Sequence, residues 1–529
     1  MTPKGFLRCL PAVLVSVGLI TLSFAPSQLR PLAWVALAPL LVSLRSTTLR
    51  TAMALGALWG MAGAYCVTDW LPRAVALYYG QPLWLGLALF ASAAFTMGAI
   101  YYMIFAAFYW WLGSIAARLV PILAGAAWVA AEFGRCRMLG GNPWGLLGYT
   151  QTGYIASESA GAASLLRYAP LQVLQAADLG GVYAVSFVVA ITNAALAELW
   201  LAYRRGGSRR RIATELTCVA VVLLAVATYG QVRLSRGLVD AGPEIEVAVV
   251  QGNVDMGSQW HEAHYGENLI AYLRLTHAAL KSGEPRVIFW PENSMTFFVD
   301  TEPAYRSQIA RVTRPADVEL VAGAPRREGD LEEKYFNSAF VIRPDGDVTA
   351  RYDKEHLLPF AEYFPFGSID YLRRSFGRVG EFTAGRDPGP LPTRAGVAGV
   401  AICNEAMFAS VVGERIRAGA TYLVNLSNDT WIQDTEFAEQ QFNLVSMRAV
   451  EQRRYLVRAS TSGPSGIVDP FGRITARTRP FSADFVAGRV RAIEAKSFYG
   501  RHGDLFAGAC LVAVLGFWLI RRDHRKLAS

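Results

Sequence analysis

A succession of apolar stretches constrains this chain more than any other feature of its sequence. Such stretches fill the first 230 residues and return near the end, while residues 240 to 500 have an ordinary soluble composition. A helix needs about 20 mainly apolar residues to cross the hydrocarbon core of a bilayer. With a mean hydropathy of +0.26 and only 18% charged residues, we expect a membrane protein that carries one large water-soluble insert.

About eight stretches are candidates for membrane-spanning helices. The first follows Lys4 and also fits a signal peptide, but Pro26 is unfavourable in a cleavage site, so we favour a retained span. The sequence thus predicts a membrane domain of seven spans at 1–230, a soluble domain at 243–500, and a last span with a basic tail at 504–529. The candidate spans are Leu7–Phe24, Pro31–Leu44, Ala52–Thr68, Leu83–Trp111, Leu119–Phe133, Leu179–Leu201, Leu216–Tyr229 and Leu505–Ile520.

Basic residues indicate how the spans are oriented. One cluster lies within Arg204–Arg211 and another within Arg521–Lys526, each beside a span. Such clusters mark cytoplasmic loops, which puts both termini in the cytoplasm and the soluble insert on the opposite side. The net charge of +9 is therefore a topology signal rather than a nucleic-acid patch. Five arginines fall on the insert's side and are expected to face a polar cavity or lipid headgroups: Arg30, Arg73, Arg135, Arg137 and Arg167.

The soluble insert alternates strand and helix patterns. Helices are predicted at 262–281 and 436–453, and turns at Arg343–Gly346 and Asp469–Gly472. Strands that alternate with helices predict an α/β sheet covered by helices. The predicted strands are Ile245–Gln251, Val287–Trp290, Leu320–Ala324, Ala339–Ile342, Val397–Cys403, Tyr422–Asn425 and Leu456–Ala459.

Three polar residues at strand ends form a candidate catalytic set. Cys403 is the only cysteine of the insert and can attack a carbonyl. Glu292 can accept the thiol proton if burial raises its proton affinity. Lys354 can stabilise the charged intermediate together with the backbone N–H of Asn404. Two other interpretations stay open, an inert buried thiol and a Cys–His pair with His356. The cysteines show no metal-ligand spacing, and we expect neither a metal nor a cofactor.

The same residues carry a resemblance to a known family. Trp290-Pro-Glu292, Tyr352-Asp-Lys354-Glu-His and Ile402-Cys403-Asn-Glu405 resemble the three signatures of the nitrilase superfamily. That resemblance implies a Glu–Lys–Cys triad on an αββα sandwich. Four further segments resemble the superfamily's membrane branch, the bacterial apolipoprotein N-acyltransferases: Leu22–Pro26, Gly141–Trp144, Val249–Asn253 and Asn428–Trp431.

The resemblance implies a ping-pong acyl transfer at the bacterial inner membrane, with the catalytic domain in the periplasm. Cys403 would take an acyl chain from a phospholipid as a thioester, and the free α-amine of a lipoprotein's N-terminal diacylglyceryl-cysteine would receive it. Glu362 and Glu405 match supporting glutamates, and Trp260 matches a lid tryptophan. We expect a monomer, with aromatic lids at Gly257–Tyr265 and Phe364–Phe382. Two positions depart from the family pattern: Asn404 replaces a frequent tyrosine, and Glu439 replaces a common histidine.

Two other functions are compatible with parts of the sequence. A membrane-anchored amidase or nitrilase would use the same triad with water as the acceptor, although eight spans are excessive for an anchor. A non-catalytic transporter or scaffold would tolerate the loss of a triad residue, and all three residues are present.

Overall fold

The computed structural model describes residues 3–115, 119–138, 141–155, 171–206, 208–238, 240–255, 264–329, 334–364, 382–387 and 389–528. Within these ranges the chain forms a helical domain followed by an α/β domain, and its last long helix returns to the helical domain. The helices of the first domain are α1 Pro3–Ser23, α2 Ala33–Ala36, α3 Ala38–Arg45, α4 Leu49–Val67, α5 Trp70–Tyr79, α6 Leu83–Ala94, α7 Ile100–Ser114, α8 Val120–Arg137, α9 Ala177–Arg205 and α10 Arg209–Arg236.

Four helical runs in the described residues are long and apolar enough to cross a membrane. They are Phe6–Ser23, Leu83–Ser114, Ala177–Arg205 and Arg209–Arg236. Helices α4 and α5 together would make a fifth crossing, but they meet at a bend of 62°. The last helix of the chain has a shorter apolar part, Leu505–Arg521. The count of about eight spans therefore stays a prediction.

The predicted span at residues 31–44 is not one helix. It is divided into a 3₁₀ turn at Arg30–Leu32, α2 and α3. The break between α2 and α3 lies beside Pro39, which lacks an N–H group and is suited to the first turn of a new helix. The Asn193 side chain forms hydrogen bonds with the backbone groups that the break leaves without a helical partner. Its Oδ1 accepts from the backbone N–H groups of Leu37 and Ala38 at 2.8 and 3.2 Å, and its Nδ2 donates to the Ala33 carbonyl at 2.9 Å.

The α/β domain contains two sheets. The strands are β1 Tyr154–Ile155, β2 Ile245–Gln251, β3 Val287–Phe289, β4 Glu319–Glu328, β5 Lys334–Ile342, β6 Val348–Asp353, β7 Leu391–Thr393, β8 Gly396–Ile402, β9 Tyr422–Ser427, β10 Leu456–Ser460, β11 Gly466–Val468, β12 Arg473–Arg477 and β13 Asp484–Val490. The six-stranded sheet has the order β13-β2-β3-β4-β5-β6, and the seven-stranded sheet has the order β1-β12-β11-β10-β9-β8-β7.

Each sheet has a central set of three parallel strands, β2–β3–β4 in one and β8–β9–β10 in the other. All seven predicted strands and both predicted turns are present. The turns at 343–346 and 469–472 close on hydrogen bonds of 2.9 Å from the glycine N–H to the first residue's carbonyl. Five helices complete this part of the chain: α11 Tyr265–Ser282, α12 Pro303–Thr313, α13 Ala409–Arg417, α14 Thr435–Gln452 and α15 Phe498–His502, followed by α16 Leu505–Ala528.

The two sheets pack face to face with helices outside them. Alternate residues of β8 show the layering: Val400 and Ile402 lie between the sheets, whereas Ala401 faces the helices on the outer side. On the other sheet, Ala248 and Val250 face a core formed with α11 and α12. This arrangement is the predicted αββα sandwich.

Helix α14 joins the α/β domain to the helical domain. Gln440 donates to the carbonyls of Ala25 and Val67 at 3.2 and 2.8 Å, and the Arg453 guanidinium lies 2.9 Å from Asp178. Asp178, a buried carboxylate of the helical domain, is thus part of the junction. The site described next includes Cys403, which directly follows a strand of the sheet that α14 covers, so the junction ties this part of the site to the helical domain.

Candidate active site

The three residues of the predicted catalytic set all lie just beyond strand ends. Glu292 follows β3 by three residues, Lys354 comes directly after β6, and Cys403 comes directly after β8. Strands β3 and β6 belong to the six-stranded sheet and β8 to the other, so the set bridges the sandwich. All three side chains are buried, with 4%, 1% and 6% of their residue surface exposed.

Glu292 and Lys354 belong to one hydrogen-bonded network with Glu362 and Asn337. The Lys354 ammonium lies 2.8 Å from Glu362 Oε2 and 3.7 Å from Glu292 Oε1. The amide nitrogen of Asn337 donates to Glu292 Oε1 at 2.7 Å and to Glu362 Oε1 at 2.8 Å. The second oxygen of Glu292 accepts from the backbone N–H of Asn428 at 2.7 Å. Both carboxylates are therefore held by N–H donors.

Cys403 has a left-handed backbone conformation, with φ of +51°, which is uncommon for a residue other than glycine. It starts a short 3₁₀ helix at the point where β8 ends. Asn425 holds this turn, because its amide donates to the carbonyls of Ala401 and Cys403 at 2.9 and 3.3 Å. Strained conformations of this kind persist where the surroundings fix them, often at active sites.

Charges around the thiol determine its protonation. Burial raises the pKa of Cys403 well above its ordinary value, and Glu292 raises it further while Lys354 opposes this. Burial also raises the pKa of Glu292, although Lys354 lowers it. Burial alone would lower the pKa of Lys354, but Glu362 and Glu292 raise it above its ordinary value. The resting site therefore holds a neutral thiol, a base with increased proton affinity and a fixed ammonium.

Glu405 ties the Lys354 segment to the Cys403 turn. Its Oε1 accepts from the Tyr352 hydroxyl at 2.7 Å and from the backbone N–H of Glu355 at 2.8 Å. Its Oε2 accepts from the backbone N–H of Ile402 at 2.7 Å. The carboxylate thus spans the ends of β6 and β8, one from each sheet.

The other predicted residues are placed in different ways. Asn404 donates from its side chain to the His356 carbonyl at 3.3 Å, and the His356 side chain is exposed, which favours the glutamate over the histidine as the base. Glu439 pairs with Arg477 at 2.5 Å. Trp260 lies outside the described residues, as do 257–263 and 365–381 of the two predicted lids.

Asn337, Gly323 and Asn428 are residues of the site that the sequence did not reveal as such. Asn428 belongs to a segment singled out only for its resemblance, and Asn337 lies inside a strand with no flanking signal. Gly323 is required by close packing: a Cβ atom there would lie 2.6 Å from the Glu292 Cα and 2.7 Å from the Pro291 carbonyl oxygen.

A second buried hydrogen-bond network, centred on Arg458, supports the Cys403 turn. Arg458 donates to Asp429 at 2.8 Å and to Gln441 at 2.6 Å, and it also binds the side-chain oxygen of Asn425. Because Asn425 holds the Cys403 carbonyl, this network fixes the Cys403 turn through β9, β10 and α14.

Two family models match separate parts of this chain. Residues 16–195 match the family model "Apolipoprotein N-acyltransferase N-terminal domain", and residues 246–493 match the model "Carbon-nitrogen hydrolase". An amidase from Nesterenkonia sp. is similar in structure over 51% of this chain and 98% of its own, with 19% identity and a TM-score of 0.38.

Similar sequences extend over almost the whole chain. The apolipoprotein N-acyltransferase of Geobacter metallireducens is 33% identical over 518 residues, covering 96% of this chain and 95% of its own. That of Azotobacter vinelandii is 29% identical over 525 residues, with coverages of 97% and 95%. The chain therefore belongs to the apolipoprotein N-acyltransferase family, and it is an acyltransferase whose nitrilase-like domain is joined to a domain of apolar helices.

Proposed function

We propose that this enzyme transfers an acyl chain from a phospholipid to the free α-amine of the N-terminal diacylglyceryl-cysteine of a lipoprotein. The transfer is a ping-pong reaction through a thioester on Cys403. The observation that carries the proposal is the network in which Asn337 and Lys354 hold Glu292 and Glu362, together with the electrostatic effect of Glu292 and Lys354 on the pKa of the buried Cys403 thiol. A buried base, a fixed cation and a strained nucleophile are the parts that acyl transfer needs.

In the first half-reaction Glu292 takes the proton of the Cys403 thiol as the sulfur attacks the ester carbonyl of the phospholipid. The tetrahedral intermediate carries a negative charge on its oxygen, which the Lys354 ammonium and the backbone N–H of Asn404 stabilise. The C–O bond to the glycerol then breaks, and the leaving alkoxide receives the proton from Glu292. The products are a lysophospholipid and a thioester on Cys403.

In the second half-reaction the α-amine of the lipoprotein's diacylglyceryl-cysteine attacks the thioester. Glu292 takes a proton from the attacking amine, and the same donors stabilise the second oxyanion. The C–S bond breaks, the proton returns to the Cys403 sulfur, and the acyl chain leaves as an amide. The high pKa of the thiol makes protonated sulfur a good resting state between cycles.

The helical domain supports a location at the bacterial inner membrane. We place the membrane domain at 1–230, the catalytic domain at 243–500 on the periplasmic side, and the last span with its basic tail at 504–529. The enzyme acts as a monomer. Both substrates have acyl chains in the bilayer, and a site that excludes water favours transfer over hydrolysis of the thioester.

The test is to incubate the full-length enzyme in detergent with phosphatidylethanolamine and to measure its intact mass. We expect one added acyl group and its loss when a diacylglyceryl lipopeptide with a free amine is supplied. Cys403→Ala should stay unmodified, whereas Cys218→Ser, which changes a cysteine of α10, should be acylated as the wild type. An acylated Cys403→Ala protein would contradict the proposal, and release of free fatty acid or ammonia without an N-acylated peptide would favour the hydrolase alternative.

A further inference from the structure

Arg415 is a buried arginine that contacts both sheets of the α/β domain beside the candidate active site. It lies on α13, and 0% of its surface is exposed. A buried charge is costly unless several groups bind it. Burial alone would lower the pKa of Arg415, but Tyr352 and Glu405 raise it above its ordinary value. The guanidinium is therefore charged, and its partners indicate what the charge does.

On the side of Lys354, Arg415 binds the end of β6. Its Nη2 donates to the Tyr352 hydroxyl and lies 2.7 Å from Glu355 Oε2. Tyr352 lies two residues before Lys354, and Glu355 lies one residue after it. The arginine thus holds the segment that carries the ammonium on both sides of the lysine.

On the side of the thiol, Arg415 binds strand β8 and approaches Glu405. Among the described strands, β7 pairs with β8 only at residues 396–398. Beyond this pairing, the Nε of Arg415 donates to the Val400 carbonyl at 3.0 Å. Its Nη2 lies 3.9 Å from Glu405 Oε1, the oxygen that also accepts from the Tyr352 hydroxyl. One guanidinium therefore joins β6 of one sheet to β8 of the other.

A glycine in β8 leaves room for this arginine. A Cβ atom on Gly399 would lie 2.9 Å from the Arg415 Cβ and 2.8 Å from the Ala420 Cβ, closer than Cβ atoms normally approach. A larger residue would push α13, and the guanidinium with it, away from the strand. Gly399 therefore allows the close approach that brings Arg415 to the Val400 carbonyl.

We propose that Arg415 is a positioning residue that sets the separation of Lys354 and Cys403. Lys354 follows a strand of one sheet and Cys403 a strand of the other, so hydrogen bonds within a sheet do not fix their separation. An arginine suits this role because its planar fork binds several acceptors in fixed directions. Acyl transfer requires the fixed separation, because the cation must meet the oxyanion that forms when the sulfur attacks a carbonyl. This last step rests on the proposed function.

The test compares two reactions of the same thiol. p-Nitrophenyl butyrate acylates Cys403 through an oxyanion, whereas iodoacetamide alkylates it by displacement of iodide and forms no oxyanion. The full-length enzyme in detergent is treated with each reagent, and the Cys403 peptide is followed by mass spectrometry. In Arg415→Gln we expect acylation to slow about 10²-fold, the cost of a lost oxyanion contact. Alkylation should change by less than about threefold, because it needs only the thiolate.

Two further variants serve as a conservative replacement and a matched control. Arg415→Lys keeps the charge, but one ammonium cannot bind both β8 and the Tyr352 hydroxyl. Its acylation should fall about tenfold, the size of one lost hydrogen bond to a charged group. Arg417→Gln lies on the same helix, its side chain is 49% exposed, and it is 3.9 Å from Glu414. It should react as the wild type does with both reagents.

Tyr352→Phe tests the same connection if Arg415→Gln does not fold. It keeps the buried ring and removes only the hydroxyl that accepts from Arg415 and donates to Glu405. We expect its acylation to slow about tenfold, with alkylation nearly unchanged. Acylation at the wild-type rate in Tyr352→Phe, or in a folded Arg415→Gln, would overturn the proposal. An equal loss in both reactions would also overturn it, because a general disturbance of the fold affects acylation and alkylation alike.

A parallel incubation of the wild type with phospholipid separates this proposal from the proposed function. Acylation of Cys403 by the ester but not by phospholipid would contradict the proposed acyl donor, whereas the comparison of Arg415 variants with the ester would still decide the role of Arg415. A wild type that neither reagent acylates would overturn both proposals.

Discussion

The Lys354 ammonium lies 2.8 Å from a carboxylate oxygen of Glu362. Its distance to Glu292 is longer, 3.7 Å, so the closer partner of the cation is not the proposed base. Because Lys354 lies closer to Glu362, it lowers the pKa of Glu292 less than it would at hydrogen-bonding distance. Glu362 also raises the pKa of Glu292 by the repulsion between the two carboxylates. Glu362, which contacts Lys354 and Asn337, can thus adjust the proton affinity of the proposed base.

Glu362→Gln keeps the shape of this side chain and removes its charge. We expect Lys354 to act more strongly on Glu292 and the pKa of Glu292 to fall, which makes it a weaker base for the thiol. Single-turnover thioester formation should slow about 10²-fold, the scale of general-base catalysis, with little change in the thermal unfolding midpoint. Glu328→Gln is the control, because this side chain is 59% exposed and pairs with Arg326 on β4. Equal rates for Glu362→Gln and wild type would contradict the role.

The pH dependence of acylation follows from the two raised pKa values. Glu292 must be ionised to accept the thiol proton, so activity is present above its raised pKa and is lost as the pH falls through it. The decline should therefore begin at a higher pH than for an ordinary glutamate, whose pKa is about 4.3. Because the pKa of Cys403 is also raised, the rate should not increase again near pH 8.5, where ordinary thiols ionise. Single-turnover acylation measured from about pH 4 to 9 checks both limits.

Asn337→Ala removes a donor that lowers the pKa of Glu292. The acid limit of acylation, which is the pH below which the acylation rate declines, should shift to higher pH. The rate at neutral pH should fall. Ser338→Ala is a matched control, since the next residue on the same strand points to the other face and donates to Asp353 at 2.6 Å. It should lose stability by about 1 kcal/mol while its acid limit stays in place. A shift of the same size in both variants would indicate a general loss of structure.

The sequence was sufficient to predict that candidate site residues lie at the ends of strands, whereas their catalytic roles stay a prediction. Short apolar runs that end in Glu292 and Cys403 predict side chains at sheet edges, and the structure places them there. Burial of the base was also predictable, because Trp290 and Phe297 flank it and both are buried.

Residues that act by tertiary contact were not predictable in the same way. Asn337 reaches Glu292 across the sheet from within a strand, and nothing in its neighbours distinguishes it from a polar residue at a strand position. The break at Pro39 was missed because the apolar composition continues through residues 31–44, and the Asn193 side chain that binds the free backbone groups there is distant in the sequence. Hydropathy reports the length of an apolar segment but not where its backbone hydrogen bonds are interrupted.

Gly323→Ala tests whether the position of Glu292 depends on backbone packing. The added Cβ atom would meet the Glu292 Cα at 2.6 Å and the Pro291 carbonyl oxygen at 2.7 Å, and backbone atoms cannot move aside as a flexible side chain can. We expect Glu292 to be displaced and thioester formation to fall about 10²-fold, as for a misplaced catalytic group, with a loss of about 1 to 3 kcal/mol in stability. Gly266→Ala, at a helical glycine whose Cβ would meet nothing within 4 Å, should leave acylation unchanged. A Gly323→Ala enzyme that forms the thioester at the wild-type rate would show that Glu292 keeps its place without this close contact.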